Sequence, residues 1–270
     1  MKKRIIVPTD LTETADHAIR QAVLIAKKND SSILLLHVLV DPGDPDEEAK
    51  RGLLEEKARQ VHMESGLDCD ILIRTGSIFD AIPYVSCEHD FDLMVIGTHG
   101  IHGFRQKMLG SDILKLVEKI SIPVLVVQPD SILKNSFENL VLPVSSHDNF
   151  PAVVDAAILF AKLFGSSVCL YSVIKAGFDW PEKLLTNIEY ATRKFEEEGV
   201  AMHRVKEDQN VYSIGFAKQT INYSHSVNAD AICIITPSSK EFYYFAPSDK
   251  EALLLNESRI PVLCAGGINL

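Results

Sequence analysis

The segment Gly97-Thr98-His99-Gly100, followed after nine residues by Gly110-Ser111, carries the residue types and spacing best suited to chemistry on a phosphate. Glycine lets a backbone turn sharply and lets a ligand approach without a Cβ in the way. A glycine and a serine opening a helix leave N–H groups pointing outward, with the positive end of the helix dipole behind them. The apolar run Leu93-Met94-Val95-Ile96 before this segment predicts a buried strand, and Asp112 to Lys119 after it predicts a helix. The spacing therefore points to a nucleotide held at the carboxyl end of a strand. His99, His102, Arg105 and Lys107 lie in or beside the loop and are suited to offset phosphate charge, although a solvated loop is the favoured reading for His102 and Arg105.

Elements that would position such a site alternate along the chain. Residues 4–8 form a short apolar run, as a strand buried on both faces should. Residues 14–29 carry Ala15, Ala18, Ile19, Ala22, Ile25 and Ala26 at helical spacing. Ser32 to Val40 predicts a second strand. Glu47 to Glu64 predicts a charged helix with Leu53, Leu54, Ala58 and Val61 on its inner side. Asp70 to Arg74 predicts a third strand, Phe79 to Glu88 a helix, and Val124 to Gln128 a fifth strand after Leu93 to Ile96. Strands alternating with helices imply βαβ crossovers and a parallel sheet covered on both faces. Such sheets bind ligands outside the carboxyl ends of the strands, where the winding reverses. The first strand ends in Pro8-Thr9-Asp10 and the fourth in Gly97, so a pocket is expected between those ends.

The chain is written twice. An offset of 135 positions brings Pro8 onto Pro143, Ala26-Lys27 onto Ala161-Lys162, Ser31-Ser32 onto Ser166-Ser167 and Val38 onto Val173. An offset of 138 brings Asp92 onto Asp230 and Ile122-Pro123-Val124-Leu125 onto Ile260-Pro261-Val262-Leu263. This period predicts a duplicated domain, residues 1–130 and 136–270, joined by a short polar linker near Pro129 to Asn135.

The second copy has lost the glycine pattern. Gly97, Gly100, Gly110 and Ser111 become Ile235, Ser238, Ser248 and Asp249, and Asp10 becomes Ser145. Ser248 and Glu251 are spaced as a capping box. Asp249 puts a negative charge where a phosphate would need donors, so the second copy is expected to keep the fold without binding a triphosphate. Its corresponding loop reads Phe242-Tyr243-Tyr244-Phe245, suited either to a partner surface or to packing within the protein.

The combination of G-x2-G-x9-G-S, Pro8-Thr9-Asp10 and Ile122-Pro123-Val124-Leu125-Val126-Val127 resembles the universal stress protein family, as a tandem pair over nearly the whole chain. The resemblance implies an α/β fold of two tandem, doubly wound, five-stranded parallel-sheet domains, of the adenine nucleotide alpha hydrolase-like type. It implies ATP as ligand, with Mg2+ able to arrive alongside the triphosphate. By the same resemblance Asp10, in the Pro8-Thr9-Asp10 turn, reads the adenine edge and Val38 lines the adenine slot. Gly97 and Gly100, with His99 between them, lie against ribose and phosphates, and Gly110 and Ser111 with the N–H groups of Asp112 and Ile113 hold the phosphate tail. A capping or turn role is the alternative for Asp10. Pairing through the last strands, Val124 to Gln128 and Val262 to Ala265, would make the two halves an intramolecular pseudo-dimer, with a homodimer as a further form.

Composition narrows the partners. A net charge of −10 over 270 residues argues against DNA or RNA as a main partner, because backbone binding needs a cationic surface. Met1-Lys2-Lys3-Arg4 is followed by only three apolar residues, too few for a signal peptide, and no apolar run approaches the ~20 residues that span a bilayer. The expectation is a cytoplasmic protein without a membrane partner. None of the five cysteines forms a C-x-x-C pair, and Cys169, Cys233 and Cys264 sit in apolar runs as reduced core thiols. His37 suits a satisfied position beside the sheet. His17, His62 and His89 have no partners at ligand spacing, so no zinc site is expected.

There is no nucleophile with a paired base and no Walker lysine frame, so no catalytic residue is assigned and at most slow ATP hydrolysis is expected. The leading expectation is a stress-response regulatory protein binding ATP, ADP or AMP in its first domain and acting on a protein partner. The alternatives are an interaction module that uses the aromatic loop without a nucleotide, and, by fold analogy alone, an adenylate-forming or nucleotide-transferring enzyme.

Overall fold

Runs of four to eight branched apolar residues alternate with amphipathic stretches, and the chain folds accordingly. The computed structural model describes residues 3–12, 15–98, 110–173, 179–206, 215–237 and 246–265. It divides into two units, one within Met1–Asn135 and the other within Ser136–Gly266. His99, Gly100, His102, Arg105, Lys107, Ser238 and the Phe242–Phe245 run lie outside the described residues.

The first unit runs β1 (Arg4–Pro8), α1 (Asp16–Asn29), β2 (Ser32–Leu39), α2 (Glu47–Ser65), β3 (Cys69–Thr75), α3 (Ile78–Glu88), β4 (Leu93–Gly97), α4 (Gly110–Val117) and β5 (Val124–Val127). Its strands are parallel in the order β3-β2-β1-β4-β5. β1 therefore lies between β2 and β4, and the winding reverses at the β1/β4 junction. Ile5, Ile6, Val7, Leu35, Leu36, Val95 and Ile96 are buried under helices on both faces, which explains their unbroken apolar runs. Two expectations shift. The helix after the glycine loop begins at Gly110, two residues before Asp112, and ends at Val117. Leu53 is 55% exposed, because α2 turns Leu54, Ala58 and Val61 inward and Leu53 falls outside that stripe.

The second unit repeats the plan with β6 (Asn139–Pro143), α5 (Phe150–Phe164), β7 (Ser167–Ser172), α6 (Glu182–Glu197), β8 (Met202–Lys206), α7 (Phe216–Ser226), β9 (Ala231–Ile235), α8 (Pro247–Leu254) and β10 (Val262–Ala265). Its strands are parallel in the order β10-β9-β6-β7-β8.

Matching main-chain bonds recur at the two sequence offsets. Thr9 N–H donates to Leu36 O and Val144 N–H to Tyr171 O, both at 2.9 Å. Asp92 accepts from Arg4 N–H at 2.8 Å on Oδ2, and Asp230 accepts likewise from Asn139 N–H at 2.9 Å. Each aspartate's own N–H returns a bond to the carbonyl of the same partner, at 3.0 and 2.8 Å. A carboxylate that fixes the first strand of each repeat against the fourth is thus the physical reason for the Asp92/Asp230 match. The ends of α1 and α5 also correspond: Asp30 takes the left-handed conformation (φ 49°) where the second copy has Gly165 (φ 72°). Glycine pays no steric penalty there, whereas aspartate tolerates it.

The segment after β5 is held rather than loose. His17 Nε2 and Ser131 Oγ are 2.8 Å apart, and Gln21 exchanges two bonds with Lys134: its amide donates to the Lys134 carbonyl at 2.7 Å and its carbonyl oxygen accepts from Lys134 N–H at 2.9 Å. Both clamping side chains come from α1 and are buried. Burial lowers the His17 pKa below its ordinary 6.5, the nearby Arg20 adds to the effect, and Asp130 opposes it. The folded chain therefore binds this proton less readily than the unfolded chain. Its contribution to stability is complete above about pH 6.5 and is lost as pH falls through the lower folded value. We expect the thermal midpoint to drop as pH is lowered from neutral through this range, and to drop less in His17→Gln. Equal drops in both proteins would remove His17 as the source.

Candidate functional site

The described residues of the expected site lie at the carboxyl edge of the first unit's sheet. Ile6 pairs with Leu34 on one side and Met94 on the other, so the ends of β1, β2 and β4 come together there. Pro8 closes β1, and Thr9 and Asp10 follow it; Val38, 8% exposed, is next to last in β2; Gly97 closes β4. Gly110, Ser111, Asp112 and Ile113 form the first turn of α4, the helix that follows β4, with Ile113 fully buried. His99 and Gly100 lie outside the described residues.

The Pro8-Thr9-Asp10 turn is built by its own side chains. Thr9 Oγ1 accepts from Leu11 N–H at 3.1 Å, and Leu11 takes a positive φ of 70°. Asp10 Oδ1 accepts from Thr12 N–H at 3.0 Å and from Thr12 Oγ1 at 2.6 Å. That is the turn role open to an aspartate at this point, and it also sets the orientation of the carboxylate. Buried His37 supports the turn from β2, with Nδ1 2.8 Å from the Thr9 carbonyl. On the other side of the reversal, Thr98 is 1% exposed and its N–H donates to Val127 O at 2.9 Å. Asp112 pairs with Lys115 at 3.5 Å within α4, so that carboxylate is partly neutralised beside the helix start.

The same place in the second unit is filled by side chains. Lys250 stands at the offset position of Asp112 and is 2% exposed. Its ammonium donates to the Thr236 carbonyl at 2.8 Å and the Pro237 carbonyl at 2.7 Å, at the carboxyl end of β9. An ammonium buried in the first turns of a helix is opposed by the helix dipole and by desolvation, so such carbonyls are needed to hold it. Asn187 of α6 reaches the β6–α5 connection and donates through Nδ2 to the carbonyls of Ser145 at 2.7 Å and His147 at 3.0 Å. Ser145, at the position of Asp10, is 2% exposed.

The helix start there differs from the expected capping box. α8 begins at Pro247 after Ala246, which leaves Ser248 exposed in the first turn. The carboxylate that reaches back is Asp249, accepting from Ala246 N–H at 3.2 Å. Proline favours the first helical position, and this moves the cap two residues ahead of Ser248. Sequence reasoning missed Lys250 and Asn187. Their signals were a charge reversal at the Asp112 position and an amide within the apolar stripe Leu184, Ile188, Ala191 and Phe195.

Burial raises the thiol pKa values of Cys69 and Cys233 to about 12 and raises that of Cys264 as well, which keeps these groups protonated and weakly nucleophilic. Among the described residues, no group of three or more His, Cys, Asp or Glu side chains could hold a metal ion. None of the described helices is long and apolar enough to cross a membrane.

The profile of the Universal stress protein family matches residues 1–128. Universal stress protein MJ0531 of Methanocaldococcus jannaschii is 30% identical over 139 residues, 47% of this chain and 82% of the relative. Universal stress protein MJ0577 of the same organism is 23% identical over 155 residues, 47% of this chain and 96% of the relative. Over the full length, the crystal structure of a universal stress protein from Archaeoglobus fulgidus DSM 4304 superposes with a TM-score of 0.71 at 17% identity, covering 98% of this chain and 97% of that one. The chain belongs to the universal stress protein family, and its two-unit α/β fold is that of a full-length relative.

Lys250 is the interaction most open to test. Lys250→Met removes the donor from two strand-end carbonyls while keeping the volume, and should lower the stability of the full chain by about 1–3 kcal/mol in thermal or urea denaturation. A variant as stable as the parent would show that the ammonium does not hold the strand end.

Proposed function

We propose that this protein is a stress-response regulator whose first unit binds an adenine nucleotide (ATP, or its products ADP and AMP) at the carboxyl ends of β1 and β4, and whose second unit does not. The observation that carries this reading is the contrast between two copies of one fold. In the second, Lys250, Asp249 and Asn187 occupy strand-end carbonyls and helix-start amides with the protein's own groups. In the first, Asp112 and Ser111 stand at the positions of Lys250 and Asp249, on a helix that opens with Gly110, and its amides suit an external anion.

In this reading the Asp10 carboxylate, oriented by Thr12, accepts from the adenine amino group, and Val38 packs against the ring. Gly97 and Gly100 let ribose and phosphates approach the backbone. Gly110, Ser111 and the N–H groups of Asp112 and Ile113 receive the phosphate tail, with Mg2+ arriving on the triphosphate. These residues bind and orient, and we assign the site to sensing rather than turnover. Nucleotide occupancy would then bias the affinity for a protein partner through whatever difference in shape it stabilises.

A thermal-shift series with ATP, ADP and AMP tests the proposal. A ligand at a hundred times its Kd stabilises by about 2.7 kcal/mol, enough for a shift of a few degrees. Gly110→Val, which fills the space a phosphate needs, and Ser111→Asp, which installs the second copy's charge, are each expected to abolish the shift and leave the unliganded midpoint within a degree or two of the parent's. An undiminished shift in both variants would refute the phosphate assignment, and no shift in the parent would refute nucleotide binding.

A further inference from the structure

Away from the strand ends, the first unit contains a second concave site. A cavity of about 640 Å3 lies between α1 and α2 and reaches the held segment after β5. This volume is within the range of small-molecule sites, roughly 300–1,000 Å3. Its apolar wall is Ile19, Val23, Leu24, Val61 and Leu133. Ile19 and Val61 are buried, whereas Val23, Leu24 and Leu133 are half-exposed to the cavity or solvent. The clamp of His17 and Gln21 on residues 131–134 keeps Leu133 in place as part of this wall.

The rim carries four charges, and three have internal partners. Lys57 Nζ meets Asp16 Oδ1 at 2.5 Å. Glu64 Oε1 accepts from the Gln60 amide at 2.7 Å. Arg20 is exposed, and no described carboxylate lies within ion-pair distance of it. Among the described residues its guanidinium is therefore the rim charge left to a ligand, and its fork matches a carboxylate. With Asp16 and Glu64 on the same rim, a monoanion is favoured over a phosphate dianion by ordinary charge repulsion.

We propose that this groove binds a small organic carboxylate with an apolar tail, the tail against Val23, Leu24, Val61 and Leu133 and the carboxylate on Arg20. The site is separate from the proposed nucleotide crevice and does not depend on it.

Decanoate titrated into the full chain by calorimetry or ligand-observed NMR is the probe, with 1-decanol as the uncharged control. Saturable binding of one decanoate per chain is expected, with decanol and the Arg20→Gln variant each weaker by roughly tenfold or more, the scale of one charge-assisted hydrogen bond. Val23→Trp, which fills the groove, should abolish binding while circular dichroism shows the fold retained, and saturating ATP should leave decanoate affinity unchanged. Absence of decanoate binding, equal binding by Arg20→Gln, or displacement by ATP would each overturn the proposal; if Val23→Trp does not fold, Arg20→Gln alone decides.

Discussion

Parallel sheets end in a constraint that must be met somewhere. At the carboxyl edge the last strand carbonyls and the first helix amides point into the same crevice, beyond the reach of the sheet's own hydrogen bonds. Where the winding reverses, no crossing segment covers them. Water, a ligand or side chains must take their place. In the second unit side chains do: Lys250 donates to the carbonyls that end β9, Asp249 accepts from the amide ahead of α8, and Asn187 donates to carbonyls of the β6–α5 connection. Burying the Lys250 charge is costly in isolation and is tolerated because the carbonyl dipoles converge on it. At the positions of Lys250 and Asp249 the first unit has Asp112 and Ser111 instead.

Duplication makes that difference legible. Bonds of the scaffold recur at fixed offsets: Asp92 and Asp230 tie the first and fourth strands of their repeats, and Thr98 and Thr236 donate to the matching carbonyls of Val127 and Ala265. The scaffold is the same in both copies. The groups facing the strand ends differ: Lys250 and Asp249 stand where the first unit has Asp112 and Ser111.

Much of this was readable from residue order, and the failures have physical causes. Strands buried on both faces announce themselves as unbroken apolar runs, so β1, β2 and β4 fell within a residue or so of their positions. The α2 stripe was drawn one residue too wide because Leu53 is apolar yet lies next to the true inward position, Leu54, and helical spacing alone does not separate neighbours. The α8 cap was misplaced because Ser248 and Glu251 imitate a capping box, whereas Pro247 sets the helix start. The segment near Pro129 to Asn135 reads as a polar linker, and only the distant partners His17 and Gln21, more than a hundred positions earlier, make it part of the first unit. Lys250 illustrates the same limit: a lysine is ordinarily a surface residue, and its burial becomes apparent only when the carbonyls it serves are located in space.

The central claim is that one crevice accepts a nucleotide and its twin is already filled from within. Native mass spectrometry of the full chain equilibrated with ATP counts this directly. One nucleotide bound per chain is the predicted result. Two per chain would mean that Lys250 and Asn187 do not close the second crevice, and none would mean that the first does not serve a nucleotide at all.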